Sequence, residues 1–163
     1  MVATLRQKEI EAQFTVSTGA YSSGDVMGTA NAAAQISDVF DYVGQSGTIL
    51  EAWLFDPEAQ AASKAMDAIV FNANPSGSTL NDNGAINIVA ADITKIQASF
   101  RFATDVGGSN RDIGDTSYGL VDRPRAVCSG ATRHLWVVMY TTDTPDWVAG
   151  VTLTLRMKIV LNG

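Results

Sequence analysis

The sequence predicts an all-β protein: an antiparallel β-sandwich, jelly-roll-like, with about eight strands and one or two short helical turns. Three observations lead there. Apolar residues recur with period two, most clearly from Val151 to Leu161. Clusters of Gly, Asn, Asp and Pro punctuate the apolar runs. The two stretches that read as helix are too short to carry a core. A length of 163 residues is that of one domain.

Met1 to Glu11 mixes Val2, Leu5 and Ile10 with Arg6, Lys8, Glu9 and Glu11, and reads as an N-terminal arm. The sandwich domain is then Ala12 to Gly163. Its first strand places Ala12, Phe14 and Val16 on one face and Gln13, Thr15 and Ser17 on the other. The turn Ser22-Ser23-Gly24-Asp25 follows. Three runs are more continuously apolar: Thr48 to Phe55, Met66 to Phe71 and Leu135 to Tyr140. Both faces of such strands meet protein, either in the middle of a sandwich or against another subunit.

Asp56 to Ala65 is rich in helix formers, with Pro57 suited to a first turn. Asn74-Pro75-Ser76-Gly77 and Asn81-Asp82-Asn83-Gly84 are turns, and Ala90 to Ile93 is a single helical turn. In Lys95 to Phe102, Ile96, Ala98, Phe100 and Phe102 share one face. Val106 to Asn110 is a Gly-rich loop, and Asp143-Thr144-Pro145-Asp146 joins the last two long strands. In the final strand Val151, Leu153, Leu155, Met157, Ile159 and Leu161 alternate with Thr152, Thr154, Arg156 and Lys158.

Charge narrows the partners. The net charge of −6 opposes phosphate backbones, so no nucleic acid is expected as a partner. Charged residues make up 17% of the chain, below the ~25% of typical soluble domains, which is what a partly covered surface would show. No uncharged run reaches the ~18 residues of a membrane span, so no membrane is expected either. The first residues lack the apolar segment of a secretory signal, and synthesis in a host cytoplasm is expected. Cys128 is the single cysteine, which excludes an internal disulfide and a cysteine zinc site.

Catalytic patterns fail one by one. Gly44-Gln45-Ser46-Gly47 approaches a nucleophile elbow, but Thr48 stands where the closing glycine belongs. His134 is the single histidine and sits inside a strand, too far along it from Cys128 for a thiol pair. Asp105, Asn110, Asp112, Asp115 and Thr116 offer oxygen ligands without the spacing of a calcium loop. Glu51, Asp56 and Glu58 cluster near one strand end, where a glycosidase would need two carboxyls across a cleft. No phosphate-cradling glycine motif occurs. Trp53, Trp136 and Trp147 with Tyr21, Tyr42, Tyr118 and Tyr140 could together offer a sugar-stacking platform, with Trp147 expected to be the exposed tryptophan because it follows Pro145-Asp146. The expectation is a protein that is not an enzyme and has no cofactor and no metal.

A series of short motifs is more specific. Tyr21-Ser22-Ser23-Gly24-Asp25-Val26-Met27-Gly28 resembles the Tyr-x-x-Gly-Asp-x-x-Gly opening of jelly-roll-type capsid decoration (cement) proteins of tailed bacteriophages. Gly47 to Ala52 resembles their Gly-x-Ile/Leu strand start. Phe71 to Pro75 resembles their Phe-x-x-Asn-Pro strand end. Asp82-Asn83-Gly84-Ala85 and Ala90-Ala91-Asp92 resemble the two turns that follow, and Leu153 to Leu161 the closing strand. The resemblance runs from about Phe14 onward, and each motif alone is turn chemistry beside a strand.

The resemblance implies a virion structural protein on the outer surface of the mature capsid. Its partners would be the major capsid protein and itself, as a homotrimer, clamping neighbouring subunits through many modest repeated contacts. An arm that orders on a neighbour fits this, so Val2, Leu5, Arg6, Lys8 and Ile10 are the candidate capsid contacts. The alternatives are a tail or head–tail connector protein and a carbohydrate-binding β-sandwich module.

Overall fold

The computed structural model describes residues 6–16, 20–28, 33–58, 64–102, 111–113, 116–121 and 124–163. These form eleven strands and one short helix. The strands are β1 (Arg6–Thr15), β2 (Val26–Met27), β3 (Ala34–Ile36), β4 (Ser46–Asp56), β5 (Met66–Phe71), β6 (Ile96–Phe102), β7 (Arg111–Ile113), β8 (Thr116–Val121), β9 (Arg125–Cys128), β10 (Leu135–Thr141) and β11 (Thr152–Leu161). The helix α1 (Ala90–Ile93) is the single turn expected there.

Two antiparallel sheets face each other. The first has the order β1-β11-β4-β8-β7, with β9 also on β4; the second has β2-β10-β5-β6, with β3 also on β10. Strands β8 and β9 pair with the two halves of β4, and β2 and β3 with the two ends of β10. Each pair therefore acts as one interrupted strand. Joined in this way, and with the short hairpin partner β7 set aside, the chain has eight strand positions, ordered 1-8-3-6 in one sheet and 2-7-4-5 in the other. That is the strand order of a jelly roll, and it accounts for the count read from the sequence.

Period two builds the core. Ile10, Ala12 and Phe14 of β1, Leu153 to Leu161 at every second position of β11, and Ala98, Phe100 and Phe102 of β6 all point between the sheets. Two bulges adjust this pattern. Opposite β11 the register passes from Glu51 to Ile49, leaving Leu50 as the extra residue of β4. The insertion lets Ile49 and Ala52, three apart, both face inward. On β6 the register passes from Ala98 to Ile96 and leaves Gln97 extra. The Gln97 Oε1 accepts from the backbone N–H of Cys128 at 3.2 Å and from its Sγ at 3.0 Å, tying β6 to β9 of the other sheet.

Of the three continuously apolar runs, β5 and β10 are buried on both faces by the chain itself, whereas Thr48 to Phe55 in β4 is buried on one face and half-buried on the other. The outward residues Phe71, Trp136 and Val138 of β5 and β10 form a second cluster with Val26, Ala33 and Leu80, flanked by Ile69, Ile86, Ile88 and Ile96. The segment between β5 and β6 folds back over the second sheet to supply this cover.

Two expectations are corrected. Residues 6–11 are not an arm: β1 starts at Arg6 and pairs with β11 without interruption from Arg6–Leu161 to Thr15–Thr152. Charge on both faces of 6–11 hides the strand, because Arg6 and Lys8 share the parity of Ile10 but end in polar contacts at the rim of the core. Residues 1–5 lie outside the described residues. Trp147, expected to be exposed, is 1% exposed. Its Nε1–H donates to Asp56 Oδ2 at 3.0 Å, and its ring meets Tyr21 edge-on at 5.5 Å. The stretch expected to be helical after Asp56 is described only at 56–58 and 64–65; there Asp56 ends β4 and its carboxylate accepts a turn bond from the Glu58 N–H.

Candidate functional site

Of the five residues read as capsid contacts, Val2 and Leu5 lie outside the described residues, and Ile10 is a core residue at 7% exposure. Ile10 cannot touch a partner without opening the sandwich. Arg6 and Lys8 are placed differently. Both reach the turn between β3 and β4, where Asp41 accepts from Arg6 Nη1 at 2.8 Å and from Lys8 Nζ at 3.0 Å. The Lys8 ammonium, with Arg6 behind it, holds the Asp41 carboxyl below the usual carboxylate range. Lys8 also donates to the Val39 carbonyl at 2.9 Å.

That turn is stiff. The Asp41 N–H donates to Gln45 Oε1 at 2.7 Å, and the buried Gln45 amide donates to the Asn162 carbonyl at 2.9 Å. Gly44 N–H is held by the Ser129 hydroxyl, and Arg133 pairs with Asp38. Between these anchors Tyr42 and Val43 project, 51% and 56% exposed. Sequence reasoning missed this tip, because no local pattern distinguishes an apolar pair held out on a turn from one that is buried.

The resemblance motifs turn out to be interlocked. Asp82, in the turn 81–84, accepts from Tyr21 Oη at 2.6 Å and from Gly28 N–H at 2.9 Å. Val26 and Asn83–Gly84 exchange backbone bonds of 2.9 Å, and Ile86 N–H donates to the Gly24 carbonyl at 2.8 Å. Asp25 caps Ser22 N–H at 2.7 Å and exchanges a backbone bond with Thr141. Gly28 has φ of +121°, and a Cβ there would lie 3.3 Å from the Phe14 ring, so a side chain is excluded twice over. The later motifs are linked in the same manner. Asp92 accepts from Ser78 Oγ at 2.7 Å and Lys95 Nζ at 2.6 Å, while Lys95 also donates to the Asn74 carbonyl. Lys95 first and Ser78 second keep the Asp92 carboxyl below its ordinary range.

A depression of about 430 Å³ lies on the outward side of β5, β6 and β10, lined by Asp67, Ile69, Ile96, Ser99, Phe100, Arg101 and Tyr140. Register creates its polar row: Tyr140 stands opposite Asp67 and Asp67 opposite Arg101. Arg101 grips Asp67 through Nε at 2.8 Å and Nη2 at 2.9 Å, and Tyr140 Oη donates to Asp67 Oδ2 at 2.9 Å. Burial, then the Asp67 carboxylate, pushes the Tyr140 hydroxyl up to about 12, so it remains a donor throughout the physiological range. The sequence signal for this row was a lone Asp inside the apolar run of β5.

The remaining chemical candidates hold the fold. His134 Nδ1 accepts from Asp38 N–H at 3.1 Å, and its ring meets Trp136 edge-on. Cys128 is bonded to Gln97. Glu51 pairs with Lys158, Asp56 with Trp147, and Glu58 Oε2 accepts from Val148 N–H at 2.8 Å. Glu51, Asp56 and Glu58 thus serve separate contacts. The side chains of Asp112 and Thr116, and all of Asp105, Asn110 and Asp115, lie outside the described residues. Among the described residues no group of three or more His, Cys, Asp or Glu side chains is placed to hold a metal ion. No described helix is long and apolar enough to cross a membrane.

No known family pattern matches the chain, and no curated protein sequence matches it. Solved structures do, at a distance. A carbohydrate-binding module, CBM27-1 of Caldicellulosiruptor saccharolyticus, solved with mannohexaose, aligns at a TM-score of 0.38 and 13% identity over 94% of this chain and 66% of its own. Desmodium yellow mottle tymovirus aligns at 0.30 and 10% identity over 100% and 84%. The virus-like particle of the extra small virus of the prawn Macrobrachium rosenbergii aligns at 0.32 and 7% identity over 99% and 81%. At these values no residue role carries from one to the other.

Proposed function

We propose that this chain is a non-enzymatic structural protein of a bacteriophage virion. It binds the outside of the mature capsid as a homotrimer and clamps neighbouring capsid subunits. The observation that carries the reading is the interlocking of the resemblance motifs. Tyr21, Val26 and Gly28 close on the Asp82 turn through four bonds, Gly24 accepts from Ile86 just beyond it, and Asn74 and Asp92 share Lys95. Turn residues that merely happened to occur in this order would have no reason to meet. The motif residues form one structural unit of this chain, and that supports the reading.

Attachment is assigned to the corner formed by the start of β1 and the turn carrying Tyr42 and Val43. Large apolar side chains held out on a stiff loop lose little entropy on docking. Arg6, Lys8 and Arg133 beside Asp38 and Asp41 give that corner charges of both signs, which orient a partner more than they hold it. The partner is the major capsid protein.

The test is stoichiometry in purified particles of the source virus by quantitative mass spectrometry. A simple ratio to the major capsid protein, such as one to one or one to three, supports decoration of the whole shell. A handful of copies moves the chain to a tail or connector, and its absence ends the virion reading. On shells lacking the protein, Tyr42→Ser/Val43→Ser is expected to lower occupancy about ten-fold or more at equal concentration. Unchanged occupancy moves attachment away from this corner.

A further inference from the structure

We propose that Asn162–Gly163 is a self-modification site, at which the Asn162 side chain loses its amide as ammonia and becomes a carboxylate. The second Asn-Gly pair of the chain, Asn83–Gly84, is protected from the same reaction by its turn. The reaction takes water as its co-reactant and stands apart from the capsid reading.

In an Asn-Gly pair the glycine nitrogen can attack the asparagine Cγ and close a cyclic imide. The N–Cγ bond forms and the Cγ–Nδ2 bond breaks. The glycine N–H proton passes to water, and Nδ2 takes one from water and departs as ammonia. A water molecule then opens the imide. Cleavage between the nitrogen and Cγ gives aspartate; cleavage between the nitrogen and the main-chain carbonyl carbon gives isoaspartate. Nucleophile and electrophile sit on neighbouring residues, so the sequence itself supplies proximity. Glycine also brings no Cβ to obstruct the approach. The rate is then set by whether the folded chain leaves the glycine nitrogen free to turn.

The two pairs differ in this respect. Gly84 N–H donates to the Asn81 carbonyl at 3.1 Å. The flanking peptides are tied to β2: Asn83 N–H donates to the Val26 carbonyl at 2.9 Å, and the Gly84 carbonyl accepts from Val26 N–H at 2.9 Å. Attack at Asn83 has to break these three bonds together. Asn162 and Gly163 are both exposed, and Gly163 N–H has no acceptor among the described residues. One exposed bond holds the Asn162 amide, from Nδ2 to Ser46 Oγ at 2.8 Å. The Asn162 carbonyl, which belongs to the same peptide group as the Gly163 nitrogen, accepts from the buried Gln45 Nε2 at 2.9 Å. Gln45 is fixed in turn by the Asp41 N–H on its Oε1 at 2.7 Å. As Gly163 gives up its proton, negative charge passes to that carbonyl oxygen, where the Gln45 donor is already in place. The product adds a carboxylate at the foot of the turn carrying Tyr42 and Val43. Its effect on docking rests on the attachment corner assigned above; the chemistry does not.

The test is incubation of the full, folded chain in mildly alkaline water enriched in heavy oxygen, followed by peptide mass spectrometry. Each event places labelled oxygen in the new carboxylate, and fragmentation assigns it to Asn83 or Asn162. In the folded chain Asn162 is expected to label about ten-fold or more faster than Asn83, because reaction at Asn83 waits for the turn to open. In denaturant the two are expected to label at similar rates. A Cβ on Gly163 meets open space, so Gly163→Ala leaves the fold intact. It is expected to slow Asn162 about ten-fold or more by hindering the attacking nitrogen. The proposal is overturned if Asn162 stays unlabelled in the folded chain, if Asn83 labels as fast as Asn162 there, or if Gly163→Ala labels at Asn162 as the parent does.

Discussion

On the outward face of the first sheet Glu11 pairs with Arg156 and Glu51 with Lys158, whereas on that of the second Phe71, Trp136 and Val138 lie beneath Leu80. Both faces come from antiparallel strands of one sandwich. The first meets water, and its strands alternate apolar with polar residues. The second is roofed over β5 and β10 by the segment between β5 and β6, and those two strands are largely apolar on both sides. The apolar runs of β5 and β10 are thus explained by a cover the chain itself supplies, whereas the run Thr48 to Phe55 in β4 keeps an outward side that is only half-buried. The roof has to be held down, and the residues that do so are those of the resemblance motifs.

Two tryptophans put the largest expected effect on this contrast. Trp136 is on the roofed face, buried in the outer cluster; Trp53 is on the wet face, opposite Arg156 and half-buried. Trp136→Ala is expected to cost about 3–5 kcal/mol in a chemical denaturation series, since it leaves a cavity under Leu80. Trp53→Ala is expected to cost on the order of 1 kcal/mol, because solvent already reaches the site. Equal losses would erase the distinction between the faces.

The next effect concerns what holds the roof. Asp82→Ala leaves the buried Tyr21 hydroxyl and the buried Gly28 N–H without their acceptor. The expected loss is about 1.5–3 kcal/mol, with faster amide exchange confined to 21–28 and 79–88. Tyr21→Phe removes one of the two bonds and is expected to cost about 1 kcal/mol. Loosening spread evenly through both sheets would mean that Asp82 supports the whole sandwich and is no local clasp.

Particular residues show how far the sequence could be read. The strands of 98–102 and 152–161 follow directly from period two, because each has one wet face; Ile96, expected inward with Ala98, is turned to the outer cluster by the Gln97 bulge. Leu50 and Gln97 could not be recognised as bulges, since an inserted residue changes the parity of everything after it and only the partner strand reveals the shift. The start of β1 was hidden because Arg6 and Lys8 occupy inward parity and escape burial by reaching Asp41 at the rim. Trp147 misled through its turn context, and its partner Asp56 lies 91 residues away. The row Tyr140–Asp67–Arg101 has the same origin: three strands distant in sequence supply one residue each. Local pattern is thus visible in the chain, and long-range register is what it conceals.

The smallest effect belongs to the wet face. Glu11→Gln breaks the ion pair with Arg156, whose two side chains are 43% and 41% exposed. An exposed pair of this kind contributes about 0.2–1 kcal/mol, and the guanidinium keeps its place over the Phe55 ring at 5.3 Å. The expected cost in the isolated chain is at the low end of that range. It should vanish at about 1 M salt, where the screening length shrinks to roughly 3 Å. A loss above about 2 kcal/mol that persists in salt would mean this face is sealed as the other is. The same substitution separates the free protein from the assembled one. If the wet face meets a neighbouring copy in the proposed trimer, the pair loses water there, and removing one partner leaves a buried charge that costs about 3–5 kcal/mol. Glu11→Gln would then be nearly silent in the monomer and damaging to trimer formation. An equally small effect in both states would place the trimer contacts elsewhere, at the edges of the sandwich rather than across β1, β11 and β4.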